Sequence, residues 1–321
     1  MFRTRFTASI PVALALASWL SACRADTPQA GAPGANAVEA VSPSDFTGRL
    51  FERGVVFLAP AGDSTVTVPW LFTAHERTNG VDRQARGWLG RGGRWELFLE
   101  ERWRTEPTRV PWRLQPRRQL RLIVGGGDVL RGLVFADGPR QLEVVLGATL
   151  AQWSNSRGGT FLVAEGATVL AERRMPGLVL DLTRAHRGER LPPGDWMFLV
   201  SGDSVQVVLT SAGATVAPES IHYEAWARLE DGREIPWRDV NVSWIEMRAF
   251  EPARRDVPAR WRIIAGDGEM AVELERQTAQ IETGTGTEPR LPIEALFEVA
   301  GTLRVSQVVY PVRGFVRHVQ N

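Results

Sequence analysis

The residues with the clearest chemical potential lie at alternate positions of one short segment in the last third of the chain. They are His222, Glu224, Trp226 and Arg228. Alternate side chains of a β-strand share one face. Glu224 could then orient His222 as a general base inside a barrel. A solvent face, or a histidine satisfied beside a salt bridge, would give the same pattern, so both interpretations stay open.

Other catalytic chemistries find less support in the sequence. His222 and Glu224 could supply two metal ligands, but no third ligand lies nearby, so no metal site is expected. There is no Gly-x-Ser-x-Gly motif. Residues 284–287, Gly-Thr-Gly-Thr, lack the strand-to-helix context of a nucleotide-binding loop, so no cofactor is expected. The chain contains no lysine, which excludes Schiff-base chemistry through a lysine amine.

Tryptophan is unusually frequent, with twelve residues against two tyrosines. Trp226, Trp244 and Trp261 lie on predicted strands of the C-terminal third. Large rings either fill a core or wall a pocket for an apolar ligand, and plain core packing is the alternative for each of them. Gly-Asp-Trp at 194–196 matches the Gly-x-Trp of lipocalins, although three residues make a short motif.

The hydrophobic pattern predicts an all-β protein. Apolar residues alternate with polar ones at 94–103, 140–150 and 269–276, which is typical of half-buried antiparallel strands. Turn-forming runs separate such segments, as at 201–203, 230–232 and 266–268. Many short strands at regular spacing indicate barrels or sandwiches.

Two β domains are expected. Residues 101–113 and 224–238 share a Glu-x-Trp start and a Pro-Trp-Arg end, which hints at an internal duplication. We place the N-terminal β domain at 46–216 and the C-terminal β domain at 217–321.

The first 22 residues resemble a bacterial lipoprotein signal peptide. Arg3 and Arg5 precede a short apolar run, which ends in Leu20, Ser21, Ala22 and the only cysteine, Cys23. This order resembles a lipobox, and Cys23 is the expected lipidation site. An ordinary export signal with an incidental cysteine is the alternative. Arg24 follows where an inner-membrane retention signal usually has aspartate, so we expect the periplasmic face of the outer membrane.

Residues 23–45 are expected to form a flexible tether, because they carry almost no large apolar side chain. A single cysteine allows no internal disulfide. Without residues 1–22 the chain has 36 arginines against 37 acidic residues, a net charge of −1. This balance provides no basic excess for binding nucleic acid.

The last hundred residues resemble a known family. In order they contain YEAWARLEDGREI, VPARWRIIAGDGEMAVELE, IETGTG, ALFEVAGTLRV and YPVRGFVRHVQ, which is similar to the AttH and hydroxyneurosporene synthase-like proteins over roughly 221–321. The resemblance implies two lipocalin-like barrels side by side and an apolar substrate, to which family hydratases add water. It also implies that Glu282 and Glu298 match positions that are acidic in the family, and that His318 lies on a strand bordering the cavity.

The departures from the family weaken the case for catalysis. The acidic Asp-His-Glu-Trp-type motif is missing, and the closing Tyr-x-Glu is replaced by Phe315, Val316 and Arg317. Protonating an alkene carbon requires a strong, desolvated acid. We therefore favour a lipid-anchored lipocalin-like protein that binds an apolar isoprenoid or acyl ligand. The alternatives are an isoprenoid hydratase and a non-enzymatic envelope interaction protein.

For the ligand hypothesis, the C-terminal barrel would supply two kinds of residue. Apolar walls and the cavity border would come from Trp226, Trp244, Trp261 and His318. The polar or catalytic groups would be His222, Glu224 and Glu298.

Overall fold

A computed structural model describes residues 48–61, 64–126, 129–156, 158–170, 172–187, 191–214 and 221–321. The predicted signal peptide, the predicted lipidation site Cys23 and the predicted tether lie outside the described residues. In the part that is described, antiparallel strands dominate and no α-helix occurs, which confirms the all-β prediction. None of these residues belongs to a helix long and apolar enough to cross a membrane.

The strands are β1 (Arg49–Ala61), β2 (Ser64–Arg77), β3 (Gly80–Arg91), β4 (Arg94–Thr105), β5 (Leu120–Val124), β6 (Leu130–Asp137), β7 (Arg140–Ser154), β8 (Thr160–Leu170), β9 (Arg173–Arg187), β10 (Gly194–Ser201), β11 (Val205–Ala214), β12 (Ile221–Arg228), β13 (Glu234–Phe250), β14 (Arg255–Ala265), β15 (Met270–Thr283), β16 (Ile293–Val305) and β17 (Val308–Gln320). Short 3₁₀ turns at Glu251–Ala253 and Gly266–Gly268 connect β13 to β14 and β14 to β15.

The first nine strands form one sheet in the order β4-β3-β2-β1-β9-β8-β7-β6-β5. β1 pairs with β9, and the two edge strands are β4 and β5. The sheet curls until its two ends meet. This is shown by the rings of Phe98 in β4 and Phe135 in β6, whose centroids lie 5.2 Å apart. The curl encloses a core that includes Phe57, Trp70 and Leu133.

The last eight strands form a closed barrel in sequence order, in which β17 pairs with β10. One set of alternate residues points into the lumen, as Met197 and Leu199 do in β10. This period of two is what a barrel wall requires. The lumen is packed with apolar side chains such as Trp261 and Phe297, both fully buried.

The opposite face of several barrel strands packs against the nine-stranded sheet, and we call this interface the seam. Trp226 of β12 meets Phe161 of β8 with 5.7 Å between ring centroids. Trp196 and Phe315 of the barrel and Trp88 of the sheet belong to the same apolar cluster.

The predicted division between residues 216 and 217 falls inside the barrel. β10 and β11 precede that point, yet they pair with β17 and β12. Residues 215–220 therefore connect two strands of one barrel, and the change from sheet to barrel comes between β9 and β10. The duplicated motif also falls on unlike elements, since residues 101–105 end an edge strand of the open sheet and residues 224–228 lie in the closed barrel.

Candidate functional site

A buried histidine–aspartate pair lies inside one end of the barrel. Asp195 is the second residue of β10, and His318 lies opposite it on β17, the neighbouring strand across the barrel closure. The Nδ1 atom of His318 lies 2.6 Å from Oδ1 of Asp195, and both side chains are fully buried. Because neighbouring strands present opposed residues to the same face, the register alone brings these two groups together.

Asp195 is held from several directions. Its Oδ2 atom accepts hydrogen bonds from the indole nitrogens of Trp244 at 2.9 Å and Trp261 at 3.3 Å. These two tryptophans are direct partners on β13 and β14, so both indoles reach across the lumen to one oxygen. The backbone N–H of Asp195 donates to the Tyr223 hydroxyl at 3.2 Å. Burial is the main cause that raises the pKa of Tyr223, and the negative charge of Asp195 raises it further, so Tyr223 stays a neutral phenol.

The second ring nitrogen of His318 is unused. In a neutral imidazole that donates from Nδ1 to Asp195, the Nε2 atom is the acceptor. It is buried and has no hydrogen-bond partner among the described residues. A buried acceptor without a partner costs about 1–3 kcal/mol, so the position favours a water molecule or ligand that donates a hydrogen bond.

Trp244 separates the pair from a solvent-facing cavity at this end of the barrel, which we call the basin. Its ring packs edge-on against the His318 ring, with 5.0 Å between centroids. The same Trp244 lines the basin, whose volume is about 790 Å³. Ile221, Met247 and Phe250 add apolar lining. A rotation of Trp244 would therefore open the pair to the basin.

The basin rim is charged. Arg254, Arg255 and Arg290 line it together with Glu251 and Asp256, an excess of one positive charge. Arg254 and Arg255 donate to the backbone oxygens of Gly286 and Asn321. No salt bridge involving these five residues forms within the part of the chain described. The rim could thus pair with a charged group of a ligand.

Two predicted site residues lie elsewhere, on the seam. Trp226 is fully buried against Phe161. Glu224 accepts a hydrogen bond from the backbone N–H of Ser156 at 3.1 Å and another from the Ser156 hydroxyl. The expectation that they line the lumen is wrong, because Tyr223 and its alternate neighbours on β12 point inward instead. His222 shares the face of Glu224 at the start of β12 and is half-buried.

Glu298 also lies on the seam rather than in the lumen. It accepts hydrogen bonds from the hydroxyls of Thr67 at 3.1 Å and Thr278 at 2.9 Å, and Trp95 donates to Thr278 from the sheet. Burial raises the pKa of Glu298, and the two hydroxyl hydrogen bonds oppose that shift. Its carboxyl group is thus a desolvated acid without an ion-pair partner in the described ranges.

The seam also holds a buried series of alternating charges, which the sequence did not predict. Arg317 of β17 bridges Glu294, at 2.6 Å, and Glu52 of β1. Arg184 of β9 continues the chain, 2.7 Å from Glu52. The Arg317 side chain is fully buried and that of Glu52 is 2% exposed, so these charges depend on one another for solvation.

The chain of charges ends at a second cavity. Arg86 of β3 contacts Glu294 at 2.5 Å and Glu282 at 2.7 Å. These three residues line an interdomain cleft of about 810 Å³, with Thr73 and His75 on the sheet side. His186 lies at the other end of this series of charges, beside Arg184. Burial is the main cause that lowers the pKa of His186, to about 3, and the charge of Arg184 adds to the shift, so His186 is neutral.

The overall fold is similar to several solved structures. Kievitone hydratase from Nectria haematococca matches with a TM-score of 0.54 at 10% identity, over 90% of this chain and 95% of that one. An AttH candidate from Nitrosomonas europaea matches with a TM-score of 0.56 at 12% identity, over 86% of this chain and 93% of that one. CghA matches with a TM-score of 0.51 at 12% identity, over 84% of this chain and 88% of that one. No protein-family model and no curated protein matches the chain.

These identities are too low to show more than the fold. The structural neighbours include AttH-like and hydratase-like proteins, which is consistent with the resemblance seen in the sequence, and the similarity of fold extends over both β domains. The chain is accordingly a two-part lipocalin-like β protein.

Proposed function

We propose that the protein binds an amphipathic ligand in the basin, while a lipid on Cys23 holds it at the outer membrane. The observation that carries the proposal is the position of Trp244, which lines the basin on one side and contacts the Asp195–His318 pair on the other. The ligand is an isoprenoid or acyl chain with a polar end group.

The apolar part of the ligand would cover Trp244, Ile221, Met247 and Phe250. Each methylene removed from water contributes about 0.8 kcal/mol before the costs of association. Because the lumen below Trp244 is packed by its own side chains, the ligand occupies the basin instead of the barrel's depth. A hydroxyl group on the ligand could donate to His318 Nε2 once Trp244 rotates.

Titration of the full chain with hexadecanoate and geranylgeraniol tests the proposal. We expect quenching of tryptophan emission, with dissociation constants near the micromolar range. Trp244→Ala should weaken binding at least tenfold. Trp153→Ala is the matched control, because Trp153 is also half-buried but packs against Phe161 on the seam. Unchanged emission with both probes, or equal binding by the Trp244→Ala chain, would refute the proposal.

A second function, hydration of an isoprenoid double bond, is favoured by the Asp195–His318 pair. A histidine oriented by a carboxylate is a common device for moving a proton. In the overall reaction one alkene carbon gains hydrogen and its neighbour gains hydroxyl, so water is fully consumed. Kievitone hydratase, which shares the fold, is a hydratase by name.

The hydratase function predicts a product 18 mass units heavier after incubation with geranylgeraniol, an increment equal to one water. His318→Gln should abolish the product while hexadecanoate still binds. If wild-type protein binds geranylgeraniol without forming the heavier product, binding alone is the function.

A further inference from the structure

Arg83 of β3 is a deeply buried arginine without a carboxylate partner. Only 6% of its surface is exposed. Arg86, Arg184 and Arg317 are at least as deeply buried, and each of them pairs with a carboxylate. Arg83 forms no ion pair within the described ranges. Because a buried charge depends on a partner for its solvation, Arg83 differs from the other buried arginines.

The contacts of Arg83 hold its guanidinium group in place but do not compensate its charge. The Nε atom donates to the hydroxyl of Thr105 at 3.1 Å, and Nη1 donates to the backbone oxygen of Arg113 at 2.9 Å. Both acceptors are neutral. The Nη2 atom is buried and has no hydrogen-bond partner among the described residues. Burial lowers the pKa of Arg83, and one N–H donor direction is left for an acceptor.

A small cavity borders this guanidinium group. Its volume is about 20 Å³, and Arg83 and Arg113 both line it. Since one water-sized occupant needs roughly 10–15 Å³, the cavity has room for a single small species. Four aromatic side chains form much of the remaining wall: Phe51, Phe72, Trp103 and Trp112. Arg83 and Trp103 also line the interdomain cleft, which gives an occupant a route to solvent.

The carboxylates nearest to this cavity are engaged by other arginines. Glu52 is the one acidic residue of the described chain in the cavity wall, but its carboxylate accepts from Arg184 at 2.7 Å on the seam. Arg53 also lines the cavity, and both oxygens of Asp181 accept hydrogen bonds from Arg53. The positive charge that remains at the cavity is therefore that of Arg83.

We propose that Arg83 binds one chloride ion, or another halide of similar size, in this cavity. A water molecule would accept the hydrogen bond from Nη2 but would leave the charge uncompensated. A phosphate or carboxylate group exceeds a space that holds about one water. The surrounding rings exclude bulk solvent, which strengthens the attraction between the ion and the guanidinium group. This site is separate from the basin.

A bound ion would stabilise one end of the nine-stranded sheet. Arg83 joins β3 to Thr105 at the end of β4, and to Arg113 in the connection between β4 and β5. The ion would compensate the charge at this junction. Because it binds the folded chain only, it should raise the melting temperature by mass action.

Thermal melting of the full chain in two sodium salts tests the inference. About 200 mM sodium chloride is compared with sodium gluconate at the same ionic strength, since gluconate is too large for the cavity. For a dissociation constant of about 10 mM we expect a melting temperature roughly 3–6 °C higher in chloride. Equal melting temperatures in the two salts would overturn the inference, because water alone would then suffice for Arg83.

Arg83→Met should abolish the difference between chloride and gluconate. Arg86→Met is the matched control, because Arg86 lies on the same strand and is also 6% exposed, but pairs with Glu282 and Glu294. The control should melt lower in both salts and keep the difference between them. If Arg83→Met keeps the difference, chloride acts elsewhere and the inference is wrong.

Crystals of the wild-type protein soaked in sodium bromide locate the ion without any variant. We expect an anomalous peak for bromide in the cavity, beside the guanidinium group of Arg83. A solvent peak without anomalous signal at this position would identify a water molecule and would also overturn the inference.

Discussion

Replacing Arg317 by methionine should destabilise the protein by about 3 kcal/mol. Breaking a buried ion pair from one side typically costs about 3–5 kcal/mol, because the remaining carboxylate stays buried without its partner. Here Glu52 and Glu294 each retain another arginine, Arg184 and Arg86. Because these two arginines still compensate part of the negative charge, the expected cost lies near the lower end of the range of about 3–5 kcal/mol. Methionine fills much of the arginine's volume, so the charge is the main thing removed.

Urea unfolding followed by tryptophan emission measures this cost. Arg262→Met is the matched control, because Arg262 pairs with Glu273 at 3.1 Å but both side chains are about half exposed. Exposed pairs contribute about 0–1 kcal/mol, so the control should lose less than about 1 kcal/mol. In a body of this size the Arg317→Met chain should melt roughly 6–12 °C lower.

A compensated variant separates charge from packing. In Arg317→Met combined with Glu294→Gln, one of the two carboxylates that lose Arg317 is neutralised, while Arg86 keeps Glu282 and Glu52 keeps Arg184, so part of the lost stability should return. If Arg317→Met costs no more than Arg262→Met, the seam charges do not depend on one another. If the double variant is as unstable as the single one, lost packing is the cause and the electrostatic reasoning is wrong.

Three further predictions concern the seam and the anchor. Burial raises the pKa of Glu298, so its contribution to stability is complete below the ordinary glutamate value of about 4.3 and is lost as pH rises through the raised value. Glu298→Gln should remove that decline when unfolding is measured between pH 4 and 8, and an unchanged pH profile would count against a desolvated acid. Trp226→Ala should cost about 3–5 kcal/mol in urea unfolding, because the ring is fully buried on the seam; a loss under 1 kcal/mol would contradict this. Cys23→Ser should move the protein from the outer-membrane fraction to the soluble fraction, and continued co-fractionation would refute the lipobox.

Local patterns predicted the strands well. The alternating segments at 140–150 and 269–276 fall in β7 (Arg140–Ser154) and, apart from Glu269, in β15 (Met270–Thr283), because the alternation of side chains is a property of a few consecutive residues. Closure is not local. Whether a run of antiparallel strands closes, as β10–β17 do, or stays open, as β1–β9 do, depends on a pairing between residues far apart in sequence.

The candidate site was predicted only in part. Trp244, Trp261 and His318 do lie together in the barrel, but their common partner, Asp195, was missed. The available signal was the Gly-Asp-Trp at 194–196, in which the aspartate, and not the tryptophan, reaches the lumen. Trp196 points outward to the seam.

The misplacement of Glu224 and Trp226 has one physical cause. On β12 both faces are buried, one by the lumen and one by the nine-stranded sheet. Hydrophobic alternation separates two faces of a strand but does not say which of them faces inward. The same cause explains Arg317. Arg317 stands where the family that the chain resembles has an acid, which weakened the case for catalysis. The structure shows that Arg317 pairs with Glu52, 265 positions earlier in the chain. A residue that departs from a family pattern can thus be fixed by a partner in the other domain, which the sequence of one domain does not reveal.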